Sequence, residues 1–161
     1  MRQAIRAAAL VVMGAYAALA EDVSDIAPRE GWAVLRTDYD HAALVDRVRS
    51  AVGAHGLAVV TQAGPTGAAK ARGIEIPGNT VIGAFNNDFA VRILRLSTAA
   101  MIEAPVRLYV TGNADGTASL SYKLPSTVFA PYAVEGGGDL AAAAAELDAL
   151  FAAIAAEAAA R

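Results

Sequence analysis

The chain contains no cysteine and only two histidines among its 161 residues. The lack of cysteine excludes disulfide bonds, thiolate metal ligands, a thiol nucleophile and an acylated lipoprotein anchor. His41 and His55 lie at opposite ends of one predicted helix, so their side chains share a face but stand roughly 21 Å apart. They therefore cannot bind one ion, and the sequence predicts neither a metal site nor a cofactor.

Positive charge is also scarce. The sequence has 13 Lys and Arg against 16 Asp and Glu, a net charge of −3. Proteins that bind nucleic acid cluster basic side chains against the phosphates, and peripheral membrane proteins do the same against anionic lipid. The composition therefore argues against both kinds of partner.

The N-terminal apolar run is short. Residues 7–19 are apolar, about 13 residues where a membrane-spanning helix needs about 20. Arg2 and Arg6 precede the run, and Ala18-Leu19-Ala20 closes it. This order predicts a signal peptide over residues 1–20. An uncleaved N-terminal anchor is the alternative.

Cleavage before Glu21 would remove two arginines and leave 11 basic against 16 acidic residues, a net charge of −5. The sequence thus predicts a periplasmic or secreted protein with no stable membrane insertion after cleavage. Residues 21–161 have the length of one ordinary domain, long enough to bury a core.

Hydrophobic periodicity predicts five strands and three main helices. The strands are expected at residues 32–36, 57–61, 80–85, 106–111 and 118–124, and the helices at residues 41–54, 89–103 and 139–160. The order β-α-β-β-α-β-β-α predicts an α+β sandwich, a mainly antiparallel sheet with helices on one face. The buried core is expected to include Leu108, Val110, Leu147, Phe151 and Ile154.

Turn residues separate these elements. Asp115-Gly116 predicts a hairpin turn between the last two strands, and Gly56 a left-handed cap on the first helix. Gly64-Pro65-Thr66-Gly67 is expected to exclude regular structure, with one helical turn at residues 68–72. Residues 125–131 are expected to form a connection, and residues 136–138 a glycine hinge. On the helix at 89–103 the predicted buried stripe is Ala90, Ile93, Leu94, Ser97 and Met101.

Residues 32–132 resemble the family known as domain of unknown function 302. The segments that carry the resemblance are His55-Gly56-Leu57-Ala58-Val59-Val60, Ala69-Lys70-Ala71-Arg72-Gly73-Ile74, residues 81–87, residues 104–110, Asp115-Gly116, Ser121-Tyr122 and Pro125. The resemblance implies a small α+β fold similar to the TATA-box-binding-protein-like class, and it implies no established activity.

Two segments depart from the family pattern. Many members carry an Asp-His pair in the loop after the second strand, where this chain has Thr61-Gln62-Ala63-Gly64-Pro65. Many also have a proline in the turn that is Asn86-Asn87-Asp88 here. An acid–base or metal role located in the first of these loops therefore does not transfer to this chain.

One candidate ligand site is the turn at Asn86 and Asn87. It joins a strand to the start of a helix, where backbone N–H groups converge on an anion, and Arg92 follows one turn later. The alternative is that these residues only cap the helix.

A second candidate is a group of aromatic residues. Tyr109, Tyr122, Phe129 and Tyr132 surround the last hairpin and its exit, and they are expected to line an apolar cleft between the sheet and the C-terminal helix. The alternative is ordinary packing of the core and its rim.

No nucleophile elbow or paired catalytic group is evident, so no catalytic residue is predicted. The sequence favours a non-enzymatic binding module for a small apolar or anionic ligand or for a periplasmic protein partner. The alternatives are an enzyme acting on a small substrate, and an interaction protein without a ligand that forms a homodimer.

Overall fold

The computed structural model describes residues 23–161. The predicted signal peptide and its cleavage site lie outside the described residues. The strands are β1 (Trp32–Arg36), β2 (Ala58–Ala63), β3 (Asn79–Phe85), β4 (Val106–Gly112) and β5 (Ala118–Lys123). The helices are α1 (His41–Ala54), α2 (Thr66–Ala71), α3 (Asn87–Leu96), α4 (Pro125–Phe129) and α5 (Ala133–Ala159). Single 3₁₀ turns lie at Ala100–Glu103 and Ala130–Tyr132.

The five strands form one sheet in the order β1-β5-β4-β3-β2, and every neighbouring pair is antiparallel. Helices α1, α3 and α5 contribute buried residues to one core with this sheet. The predicted α+β fold, with a mainly antiparallel sheet and helices packed on it, is confirmed. Its likeness to the TATA-box-binding-protein-like class stays a prediction.

The core follows from period-two alternation in the central strands. Leu108 and Val110 of β4 are fully buried, whereas Arg107, the residue just before Leu108, is exposed. Phe151 and Ile154 of α5 are fully buried, and Leu147 is 4% exposed. All five residues predicted to form the core belong to one cluster, so that prediction is confirmed.

Helix α1 is joined to the C-terminal end of α5 by polar contacts as well. Arg47 donates to the carbonyl oxygens of Ala158 at 2.7 Å and Ala160 at 2.8 Å. The Tyr39 hydroxyl also donates to the Ala160 carbonyl. The final carbonyls of a helix have no partner within the helix, so these donors satisfy them.

Three local predictions were wrong. Helix α2 begins at Thr66, because proline is well tolerated at a helix start and Gly67 costs little in an exposed turn. Residues 125–131 are largely helical, because Pro125 starts α4 and Phe129, 2% exposed, anchors that helix in the core. Helix α3 ends at Leu96, seven residues early, and the Leu94 side chain is 46% exposed.

The early end of α3 has a visible cause. Ser97 is extended, with φ −156° and ψ 117°. Its hydroxyl donates to the Glu135 carboxylate and accepts a 3.0 Å hydrogen bond from the Ala100 backbone nitrogen. A serine side chain that bonds the backbone in this way offers the chain an alternative to continuing the helix.

The predicted glycine hinge lies inside α5. Gly137 has φ 55° and ψ −148°, and it separates a short N-terminal piece from the long helix that packs on the sheet. The long piece agrees with the helix predicted at residues 139–160.

Candidate functional site

The sheet has one face that α1, α3 and α5 do not cover, called the open face below. Register places alternate residues of β1, β3, β4 and β5 there. They are Trp32, Val34, Arg36, Asn79, Val81, Gly83, Arg107, Tyr109, Thr111, Ser119, Ser121 and Lys123.

The N-terminal segment, residues 23–29, lies along the half of the open face nearest the β4–β5 hairpin. Asp25 accepts a 3.1 Å hydrogen bond from Arg36 and a 2.8 Å bond from the Ala114 backbone nitrogen. Arg36 also donates to Asp115 at 2.7 Å. Hydrogen bonds from Thr117 and Arg36 lower the pKa of Asp115 to about 2. The N-terminal segment is therefore fastened to the hairpin by charged hydrogen bonds.

The other half of the open face forms a groove of about 340 Å³. Its apolar surface comes from Trp32, Val81, Tyr109 and Val128, each of which is half-buried. Small-molecule sites in proteins usually occupy about 300–1,000 Å³ and are mainly apolar. The groove thus has the size and surface of a site for a small molecule.

Two exposed cations lie next to each other across the strands of this groove. Lys123 of β5 is the cross-strand partner of Trp32 of β1. On the other side of β5, Tyr122 pairs with Leu108 of β4. The next pair along these antiparallel strands is Lys123 and Arg107, so the two cations lie opposite each other. Side chains opposite each other on neighbouring strands have Cβ atoms about 5 Å apart. The groove therefore carries a local concentration of positive charge.

Trp32 contacts two cations through its ring. The guanidinium carbon of Arg29 lies 5.2 Å from the ring centroid, and Nζ of Lys123 lies 5.8 Å from it. Cations within about 6 Å of an indole ring are attracted by its electron-rich face. Of these two cations Lys123 borders the groove, whereas Arg29 borders the neighbouring depression beside the N-terminal segment.

The remaining polar groups of the groove bond to protein neighbours. Asn79 Nδ2 donates to the Tyr109 hydroxyl oxygen at 2.6 Å. The Tyr132 hydroxyl donates to Glu103 at 2.7 Å, and this bond raises the pKa of Tyr132. No pair of groups in the described part of the groove has the geometry of a nucleophile and its base. Within residues 23–161 no three His, Cys, Asp or Glu side chains form a group suited to a metal ion.

The turn predicted as an anion site lies elsewhere, between β3 and α3. Asn86 Oδ1 accepts hydrogen bonds from the backbone nitrogens of Asp88 at 2.9 Å and Phe89 at 3.1 Å. Its amide nitrogen donates to the Gly56 carbonyl at 3.1 Å. The side chain of Asn86 thus occupies donors that an anion would use, while Asn87 is exposed.

Arg92, the third residue of that candidate, points to α5 instead. Its two terminal nitrogens donate to the two oxygens of Glu146 at 2.7 and 3.0 Å. A shallow depression nearby is bordered by Asn87, Arg92 and Asp139. The ligand role predicted for Asn86, Asn87 and Arg92 stays a prediction.

The three predicted tyrosines do not share one cleft. Tyr109 lies in the groove on the open face. Tyr122 borders the groove, but its ring packs in the core against Phe151, with ring centroids 5.6 Å apart. Tyr132 lies beyond α4, bonded to Glu103. The expected cleft between the sheet and α5 is instead filled at this point by the contact between Tyr122 and Phe151.

Sequence reasoning did not single out Trp32, Arg107, Lys123 or Val128. One signal was present, because Arg107 and Tyr109 alternate with the buried residues of β4 and so had to share its other face. The neighbours of that face depend on strand order, which the alternation does not reveal.

None of the described helices is both long and apolar enough to span a bilayer. No curated protein matches the chain in sequence. A crystal structure of an uncharacterised conserved protein, DUF302, from Bacillus stearothermophilus has a similar fold, with a TM-score of 0.71 at 16% identity. The similarity covers 81% of this chain and 99% of that one. The family model described as Domain of unknown function DUF302 matches residues 33–157, which include every strand residue except Trp32. Because this match covers most of the chain, the chain belongs to that family.

Proposed function

We propose that this protein is an exported, non-enzymatic binding domain that holds a small molecule in the groove on the open face of its sheet. The observation that carries the proposal is the groove itself, about 340 Å³ of space bordered by half-buried Trp32, Val81, Tyr109 and Val128. An aromatic and aliphatic surface left without helical cover favours an apolar ligand body.

The hydrogen bonding of the groove favours binding over catalysis. Asn79 and Tyr109 bond to each other, and Glu103 bonds to Tyr132. General acid–base catalysis needs titratable groups within hydrogen-bond reach of a reacting atom. Here these polar groups support the walls of the groove.

Export is proposed from the sequence. The basic, apolar and small-residue segments of residues 1–20 have the order of a signal peptide. The absence of cysteine and the acidic balance are compatible with a periplasmic domain held together by its apolar core. We therefore place the binding function in the periplasm or outside the cell.

The chain offers a direct reporter of binding, because Trp32 is its single tryptophan and borders the groove. N-phenyl-1-naphthylamine, a neutral apolar fluorophore, should become bright on binding and should accept excitation energy from Trp32. Tyr109→Ala should weaken its binding about tenfold by removing an aromatic contact. Leu94→Ala, which removes an exposed apolar side chain from α3, is the matched control and should leave binding unchanged.

Native mass spectrometry of the protein purified from its own periplasm provides a second measurement. The expected result is a bound small mass that is absent from Tyr109→Ala. Absence of any bound mass, together with no binding of the fluorophore, would contradict the proposal. A dimer without bound mass would support the interaction protein instead.

A further inference from the structure

We infer that the groove selects an organic anion, a molecule with a flat apolar body and one carboxylate or sulfonate group, and that Arg107 and Lys123 bind the anionic group. This inference rests on the proposed function and adds the chemical class of the ligand.

Two like charges lie side by side in the groove. Arg107 and Lys123 extend from neighbouring strands on the same face, and both side chains are exposed. Like charges opposite each other on a sheet destabilise it. The ion pairs formed within residues 23–161 involve neither of them. An anion bound between the two side chains would relieve their repulsion.

Trp32 lies beside these cations and adds no charge of its own. Its ring lies close to Lys123 and Arg29, which restricts their positions without cancelling their charge. A carboxylate in the place of the ring would neutralise the cations and remove their attraction for a ligand. The one carboxylate that borders the groove, Glu103, accepts a hydrogen bond from Tyr132.

The charge of the groove differs in sign from that of the whole chain. The whole sequence is acidic, with a net charge of −3. The groove nevertheless has two cations, Arg107 and Lys123, against the single carboxylate of Glu103 on its border. Its positive charge is therefore a local feature and does not follow from the composition.

The apolar body of the ligand has a separate surface. Val81 and Tyr109 are cross-strand partners on β3 and β4, and Val128 of α4 borders the same groove. All three are half-buried. An anion held at Arg107 and Lys123 would place its attached ring system against these side chains.

Two probes with the same ring system test the inference. N-phenyl-1-naphthylamine is neutral, and 8-anilinonaphthalene-1-sulfonate is the same skeleton with a sulfonate. We expect the sulfonate to bind about tenfold more tightly at low salt, with the difference shrinking as salt screens the exposed cations. Energy transfer from Trp32 locates either probe at the groove.

The paired variant Arg107→Gln/Lys123→Gln should lose the preference for the sulfonate and keep its affinity for the neutral probe. Lys70→Gln/Arg95→Gln is the control, since it removes the same charge from exposed positions outside the groove and should keep the preference. Thermal melts of both variants establish that they are folded.

The outcomes separate the two proposals. If the neutral probe binds as tightly as the sulfonate, or if the groove variant keeps the preference, the inference is overturned and the proposed function stands. If neither probe binds with energy transfer from Trp32, the proposed function fails as well.

Discussion

Arg92 and Glu146 form a two-point ion pair, with hydrogen bonds of 2.7 and 3.0 Å between the guanidinium and both carboxylate oxygens. The pair joins α3 to α5 and raises the pKa of Arg92 while it lowers the pKa of Glu146. The guanidinium that sequence reasoning directed to an anion near Asn86 is thus engaged by a carboxylate of another helix.

Arg92→Ala should return the pKa of Glu146 towards its ordinary value near 4.5. Because the folded-state pKa is lowered, the pair contributes stability above pH 4.5 and loses it as the pH falls through the folded-state pKa. An NMR titration of the Glu146 carboxyl carbon measures the shift. Binding of 8-anilinonaphthalene-1-sulfonate should not change, and its loss in Arg92→Ala would support the turn as the ligand site.

Asn86→Ala should destabilise the fold by about 1–2 kcal/mol, because it removes the N-cap of α3. Asn86 Oδ1 accepts from two backbone nitrogens, whereas the side chain of Asn87 is exposed. Asn87→Ala is therefore the matched control and should stay within about 0.5 kcal/mol of the wild type. Urea unfolding measures both, and equal losses would show that the cap is shared.

Phe151→Ala should destabilise the protein by about 3–5 kcal/mol, because it opens a cavity beneath the sheet. Phe151 is fully buried and packs against Tyr122. Leu94→Ala removes an exposed side chain and should cost far less. A thermal melt unchanged by Phe151→Ala would mean that α5 is not anchored through this ring.

His41→Gln should make the free energy of unfolding less sensitive to pH below the ordinary histidine pKa of 6.5. Burial lowers the pKa of His41 below 6.5, against the weaker opposing effect of Asp40. The unfolded chain therefore binds a proton at His41 more tightly than the folded protein does. The contribution of neutral His41 to stability is present above pH 6.5 and is lost as the pH falls through the folded-state pKa. Urea unfolding at several pH values compares the slopes. Equal slopes for variant and wild type would exclude His41 as the source.

Export should produce a mature chain that begins at Glu21, as expected for cleavage after Ala18-Leu19-Ala20. N-terminal sequencing of the protein recovered from the periplasm or medium tests this. Retention of Met1, or a first residue beyond Asp25, would count against the predicted site. Ala20→Asp should block processing, because the peptidase requires a small residue there.

Local patterns determined much of the fold. The alternation in β4 and the Asp115-Gly116 turn predicted the hairpin, and Gly116 has the positive φ, 86°, that such a turn needs. Gly56 likewise has φ 76° at the end of α1, as its position after the helix predicted. These features depend on neighbours in the chain, so a short stretch of sequence contains the information.

The family resemblance also came from sequence, through the order and spacing of several short segments. The resemblance drawn over residues 32–132 agrees with the family match over residues 33–157, which reaches further into α5. The resemblance indicated the fold correctly and implied no activity.

The groove was decided by tertiary structure alone. Trp32 and Lys123 are far apart in the chain and meet only because β1 pairs with β5 in one particular register. A shift of one residue would move either side chain to the helix-covered face, since the side chains of a strand alternate with period two. The sequence by itself determined the five strands, the hairpin turn and the core residues. The long-range pairing of those strands determined that an indole, two cations and a tyrosine share one open face. That pairing minimises the exposed apolar area of the whole sheet, which no single segment of sequence specifies.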